Sequence, residues 1–225
     1  MFNHVGIDLG YADLESHTGE TKRTYATPSG IKYPSITTVL SILSEDSIKA
    51  WRKRVGEETA NKISTRASLR GTKVHEAIEK FVNNQEWSQI VSEYTPDIIE
   101  SLINVKEILS ERIGNVYGQE LPLYSDHLRV AGRVDCVAEF DGKNSIIDFK
   151  TSKKPKRRDW ITNYFCQEAA YAIMWEERTG MPITQLVTVV AVDGSEPQVF
   201  IEKRDDFVPL LRETIERYEK RVVNQ

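Results

Sequence analysis

Over residues 69–81, Val74, Ala77, Ile78 and Phe81 recur at helical spacing and form one apolar stripe. Gly71, His75 and Glu79 stand four apart and form a second stripe beside it, because residues four apart stack on one helix face. The predicted helix packs with one side and presents a histidine and a glutamate next to that side. Further upstream, Pro34-Ser35 precedes Ile36, Val39, Leu40 and Leu43. This is again helical spacing, with Ser35 as the N-cap. A second helical stretch is predicted over about 47–63, carrying Trp51, Val55 and several basic residues. Residues 1–30 are polar and turn-rich, with a short strand at Tyr25-Ala26-Thr27 before the turn signal Pro28-Ser29-Gly30. After a polar break at Asn83-Asn84-Gln85, another helix is predicted over about 95–113.

The period then changes. Residues 117–124 read as extended, with Glu120 inside the run. Over 129–140, Val130, Gly132, Val134, Cys136 and Ala138 alternate with Arg133, Asp135, Val137 and Glu139. Asp141-Gly142 signals a hairpin turn, and 145–151 is the return strand, in which Ile147 and Phe149 alternate with Ile146, Asp148 and Lys150. Residues 160–178 predict an aromatic-rich helix ended by Gly180 and Pro182. Its apolar residues, among them Phe165, Ala169, Met174 and Trp175, wrap much of its surface, as in a well-buried helix. A β-branched run at 186–192 has the character of a central strand; 197–201 pairs with it, and 206–222 is a terminal helix. This order predicts an α/β fold in one domain over 1–225: mostly helical at 33–115, a catalytic sheet and helix at 116–205, and a terminal helix at 206–225.

Composition narrows the class. The chain has 225 residues, 40% hydrophobic and 28% charged, with a formal net charge of −4. That is a globular balance, away from the disordered and membrane classes, and no apolar run reaches the length a bilayer crossing needs. The start, MFNHVGIDLG, lacks the pattern of a secretory signal. The two cysteines, Cys136 and Cys166, require no disulfide and cannot build a four-cysteine zinc or iron–sulfur site. The reducing cytoplasm is the expected compartment. An acidic chain is not a nonspecific coat for nucleic acid, yet a local basic strip can still guide a phosphate backbone.

Candidate chemistry lies in the hairpin. Asp148 and Lys150 share a face, being two apart in a strand, and the Asp141-Gly142 turn can bring Asp135 alongside, in a register the sequence does not fix. Converging carboxylates stay ionised most easily around a cation, and oxygen ligands suit magnesium or manganese. Such an ion can polarise a phosphodiester and lower the pKa of bound water. Lys150 would orient that water or neutralise the charge that develops. The plain alternative is salt bridging on a solvated sheet face. Against it stands the apolar setting Ile146-Ile147-Asp148-Phe149-Lys150, where charges are costly unless paired or liganded.

At these residues the sequence resembles the PD-(D/E)XK nuclease superfamily, in the RecB-like branch and its group of mitochondrial and phage exonucleases. Gly71-Thr-Lys-Val-His75 resembles the GxxxH motif, and Glu120 stands where the branch often has a strand glutamate. Gly132-Arg-Val-Asp135 resembles GxxD, Asp148-Phe-Lys150 resembles (D/E)xK, and Gln167-Glu-Ala-Ala-Tyr171 resembles QxxxY. The motifs occur in the expected order, and the similarity spans about 33–175. The proline of the superfamily name is absent, since Asp135 follows Val134.

The resemblance implies a restriction-endonuclease-like core, a central mixed β-sheet flanked by helices, with an N-terminal helical elaboration. It implies metal ligation by His75, Asp135, Asp148 and the Phe149 backbone carbonyl, with Glu120 assisting. Lys150 would be the catalytic lysine, with Gln167 and Tyr171 supporting the site or the DNA. The implied cofactor is Mg2+ or Mn2+, without an iron–sulfur cluster. No GxxxxGK[ST] occurs, so no ATP site is expected. The implied activity is exonuclease action on DNA, single-stranded or flapped. Replication or recombination proteins would be partners, in a bacterial or phage-infected cell. A structure-specific endonuclease and an inactive nucleic-acid-binding protein remain open at this point, and the side chains give no handle on the 2′-OH that would mark RNA.

Two basic segments are candidates for DNA contact. Six of the nine residues from Lys150 to Arg158 are basic, directly after the catalytic strand. Trp160, Tyr164 and Phe165 follow; aromatics can stack on bases, although on such a helix a core role is the simpler expectation. Lys49, Arg52, Lys53 and Arg54, with Lys62, Arg66, Arg70 and Lys73, form a second band before His75 that would line a strand path or a solvated face.

Overall fold

A computed structural model of the chain describes residues 1–19 and 22–223. Strands β1 (Asn3–His4), β2 (Glu15–Thr18), β3 (Arg23–Ala26) and β4 (Lys32–Pro34) lead into helices α1 (Ile36–Leu40), α2 (Glu45–Val55), α3 (Glu57–Val82), α4 (Trp87–Glu93) and α5 (Pro96–Arg112). Strands β5 (Ile113–Ser125), β6 (Val130–Phe140) and β7 (Lys143–Ser152) follow, then α6 (Thr162–Thr179), β8 (Gln185–Val192), β9 (Gln198–Lys203) and α7 (Arg204–Val223). The main sheet is mixed, in the order β1-β5-β6-β7-β8-β9. β7 and β8 run parallel and are joined through α6, the crossover that parallel strands require. The expected α/β architecture is present: a central mixed sheet with helices on both faces.

Local chemistry explains most element ends. Ser35 caps α1, its hydroxyl accepting from the Thr38 N–H at 3.1 Å. Asp141 and Gly142 both take positive φ (52° and 72°), as a two-residue hairpin turn demands. Gly180 closes α6 in the left-handed region. The predicted helix at 47–63 is in fact broken. Gly56, at φ 87°, ends α2 and begins α3, and α3 then runs without interruption through the stripe that carries His75. The short helix α4 and strands β1, β2 and β4 carry too few periodic positions to stand out in the sequence.

The sheet separates two cores. On one face α1, α6 and α7 pack Phe165, Tyr171, Trp175 and Leu211 against Val130, Val134, Val137, Ile146 and Leu186. On the other, α3, α4 and α5 pack Val74, Ile78, Ile90, Leu102 and Leu109 against Cys136, Ala138, Phe140, Ile147 and Phe149. This division corrects the simple alternation expected in β6. Val130 and Val134 face the first core, yet Cys136 and Ala138 face the second, so the strand changes face at Asp135. Glu120 lies opposite, between the paired positions Gln119↔Cys136 and Leu121↔Val134. It takes φ 49°, a conformation costing about 1–2 kcal/mol for a residue with a Cβ. Arg133 braces it by donating to the Glu120 carbonyl.

The first core also dictates Gly132. A Cβ there would stand 2.8 Å from Tyr171 Cε1, 2.9 Å from its hydroxyl and 3.2 Å from Ile36 Cγ2. Gly132→Ala is therefore expected to destabilise the fold by about 1–3 kcal/mol through overpacking, read as a lowered urea midpoint at unchanged m. An unaltered midpoint would show that Tyr171 is free to move aside.

Candidate active site

Helix α3 and strands β5 and β6 each deliver one polar group to the same place. On α3, Val74, Ala77 and Ile78 are buried as the stripe predicts, which turns His75 toward Asp135 in the middle of β6. The edge of its ring meets Phe149, with centroids 6.4 Å apart and planes at 90°. His75 Nδ1 stands 3.4 Å from Asp135 Oδ2. The paired positions between β6 and β7 end at Cys136↔Ile147. Just beyond, the Phe149 N–H donates to Asp135 Oδ2 at 2.8 Å, so the carboxylate takes the place of a ladder bond where the strands part.

Ligand atoms of His75, Glu120 and Asp135 all lie within 4.8 Å of one another, and among the described residues they form the one such group of three. Asp148 is not in that group. It is buried, ion-paired to Lys150 and accepts from Gln167 Nε2 at 3.2 Å. Gln167 is also hydrogen-bonded with Tyr171, and Tyr171 rests on Gly132. The GxxD, (D/E)xK and QxxxY residues thus form one connected chain.

The charges are strongly interdependent. Burial works against ionisation of Asp135, but His75 and then Lys150 outweigh it and hold the carboxyl below its usual range. Burial pushes Asp148 up, against the pull of Lys150. For Lys150, burial favours the neutral amine, yet Asp148 and Asp135 reverse this and raise its pKa, so it stays an ammonium. Burial disfavours protonated His75, and Asp135 overcomes that, for a net rise. Glu120 is raised to about 7 by burial, then by the charges of Asp135 and Glu79. Two carboxylates and an imidazole converging where negative charge is already disfavoured make a donor set that fits a divalent cation.

The structure defines two further features of α3. Glu79 lines the same cavity as His75, but the group paired with the ring is Asp135. A Cβ on Gly71 would meet Thr151 Oγ1 at 4.0 Å, an ordinary contact, so the helix–sheet approach does not depend on that glycine. One buried acid escaped sequence reading. Glu168 is fully buried and accepts from Thr188, the register partner of Asp148. Burial and then Asp148 raise its pKa well above the usual carboxylate range. Its position beside Gln167 was the one available signal.

The site opens into a cavity of about 580 Å³. The polar N-terminal region builds much of its wall. β2, β3 and β4 form a small antiparallel sheet, and Ser16, Arg23 and Tyr25 from it join Ser35 and Thr37 in the lining. The basic band on α2 and α3 is largely neutralised. Lys49 pairs with Glu45, Arg52 with Glu57, Lys62 with Glu58, Arg70 with Asp193 and Lys73 with Glu76. Trp160 is exposed, Tyr164 is half-buried beside Lys150, and only Phe165 enters the core.

A sheet carrying Asp135, Asp148 and Lys150, with His75 brought in by a flanking helix, is a nuclease-type arrangement. The family model described as the PD-(D/E)XK nuclease superfamily matches residues 45–224, and the chain belongs to that superfamily, whose nucleases use divalent metals. It is similar to the human mitochondrial genome maintenance exonuclease 1, 31% identical over 133 residues, covering 55% of this chain and 38% of the human protein. The mouse protein of the same name is 33% identical over 159 residues (63% and 45% coverage). The Xenopus tropicalis protein is 38% identical over 99 residues (42% and 28%). The matched stretches span less than half the length of these relatives.

The raised Glu120 pKa has a consequence for stability. Its carboxyl titrates near 4.5 when unfolded and near 7 in the metal-free fold. Between those values the folded state binds more protons, so this group's contribution to stability falls as pH rises. Glu120→Gln removes that loss. In chelator, the variant is expected to melt above wild type at pH 8, with the difference vanishing near pH 4. A variant melting no higher than wild type at pH 8 would contradict this electrostatic account.

Proposed function

We propose that this protein is a divalent-metal-dependent deoxyribonuclease that trims DNA from free ends, acting on single strands and flaps. The observation that carries the reading is the convergence of His75, Glu120 and Asp135 beside the buried Asp148–Lys150 pair, at the floor of a walled polar cavity. We assign His75, Glu120 and Asp135 as side-chain ligands, joined by Asp148 and the Phe149 carbonyl as the family resemblance implies. One imidazole among carboxylates suits manganese as well as magnesium.

The bound cation supplies Lewis-acid polarisation of the phosphodiester and an acidified water. The chain's own groups do the rest. Lys150, kept cationic by Asp148, offers a fixed positive charge to the phosphoryl oxygens as negative charge grows at phosphorus. Gln167 holds the Asp148 carboxylate, and Tyr171 holds Gln167. The walls from β2, β3 and the start of α1 favour a strand end over an uninterrupted duplex as the form of DNA that reaches His75, Glu120 and Asp135. Replication or recombination enzymes are the partners such trimming would serve.

The test is cleavage of 5′-labelled, 3′-labelled and circular single-stranded DNA with magnesium or manganese. Linear strands and flaps are expected to shorten, circles to survive, and chelator to abolish the reaction. Asp148→Ala and Lys150→Ala should each lower the rate by about 10²–10³-fold or more while DNA binding persists. Cutting of circles would indicate an endonuclease. No cleavage of any substrate with either metal would leave a binding protein on a nuclease fold.

A further inference from the structure

The connection from β7 to α6 leaves the site along Lys153, Lys154 and Lys156, whose side chains have no acidic partner among the described residues. It ends on Trp160, whose residue surface is 66% exposed, while Trp175 is wholly buried. This indole is not on a loose loop. The Lys156 N–H donates to Gln198 Oε1 at 2.6 Å, and Gln198 Nε2 donates back to the Lys156 carbonyl at 3.0 Å. Ser152 Oγ donates to the Lys154 carbonyl at 2.6 Å, and Arg158 forks onto Glu202 at 2.5 and 2.7 Å. A 3-10 turn spans Arg158–Trp160. Arg157 is held by Asp159 at 3.0 and 2.9 Å and lies 5.1 Å from the Trp160 ring centroid. Four residues further, the Tyr164 ring is 5.2 Å from Lys150 Nζ. A large exposed aromatic surface thus follows these lysines on a braced connection that runs from the strand of the proposed catalytic lysine to α6.

We infer that Arg157 and Trp160 form a stacking platform for a base of single-stranded DNA next to the cleavage site, with Lys153, Lys154 and Lys156 on the flanking phosphates. The chemistry matches the ligand on both counts: every base has a π-face that stacks on an indole or a guanidinium, and the backbone needs cations at intervals. A duplex keeps its bases stacked internally and offers none to the platform, so this surface selects unpaired strands. The inference rests on the nuclease reading above and adds how the substrate is held.

The experiment measures binding of a labelled oligo(dT) and of an abasic oligonucleotide of equal length, with calcium replacing magnesium. Trp160→Ala is expected to weaken oligo(dT) binding by about 5- to 150-fold, the range for loss of one stacked base. Trp160→Phe should keep most of the affinity, and the abasic strand should bind all three proteins alike. Lys153→Ala with Lys154→Ala should weaken both probes and reduce the salt slope by about 1.4, about 0.7 per phosphate contact. In turnover with magnesium, Trp160→Ala should raise KM more than it lowers kcat. Trp160→Ala that binds oligo(dT) as wild type does, or that loses the abasic strand equally, overturns the platform. If wild type nonetheless cuts DNA, the nuclease reading survives that result; wild type that neither binds nor cuts overturns both.

Discussion

Asp148 and Lys150 place a negative and a positive charge in a strand whose neighbours Ile146, Ile147 and Phe149 are all buried. Taking two ions out of water costs several kcal/mol each, and only close pairing with further hydrogen bonds offsets it. Much of the surrounding structure serves that requirement. Gln167 bonds the carboxylate, Tyr171 bonds Gln167, and Tyr171 closes over Gly132 because a side chain there would collide with it. Burial, and then the charge of Asp148, raise the pKa of the neighbouring Glu168 well above the usual carboxylate range. A pair that is costly to bury and intolerant of losing one partner makes sense where fixed charge is needed for chemistry.

A second constraint acts across the sheet. β5 and β6 both depart from regular geometry at one level, Glu120 by its positive φ and Asp135 by the change of face. The outcome is that two carboxylates meet His75 from the neighbouring helix. In a regular ladder the alternation of side chains would send part of this set into a core. The strain is supported by Arg133 on the Glu120 carbonyl and by Asp13 on Arg133, which ties the polar N-terminal segment to the geometry of the site. The same segment supplies part of the cavity wall, so that wall and the convergence of Glu120, Asp135 and His75 share one scaffold.

Much of the fold and the motif residues were legible in the sequence. The apolar stripe of α3, the hairpin at Asp141-Gly142, the buried α6 and the order of His75, Asp135, Asp148, Lys150, Gln167 and Tyr171 all follow from local periodicity, turn chemistry and recurring motifs. These are short-range properties: a residue's helical face or its φ requirement is set within a few positions. The break at Gly56 belongs to the same class, since glycine at positive φ ends a helix, but the helical pattern across 47–63 masked it.

Contacts between distant residues lay outside that reach. The set of three that converges is His75, Glu120 and Asp135, with Asp148 held apart by Lys150 and Gln167, because the end of the β6–β7 pairing and the flip at Glu120 decide which carboxylates face the helix. Salt bridges from acids near in sequence and far from it neutralise most of the α2–α3 basic band, while Gln198 and Glu202 of β9 brace the basic connection and leave Trp160 in water. The sequence by itself determined which residue types were available and on which elements they stood. Only the tertiary structure decided which charges meet, because pairing depends on strand register and on partners up to a hundred or more positions away.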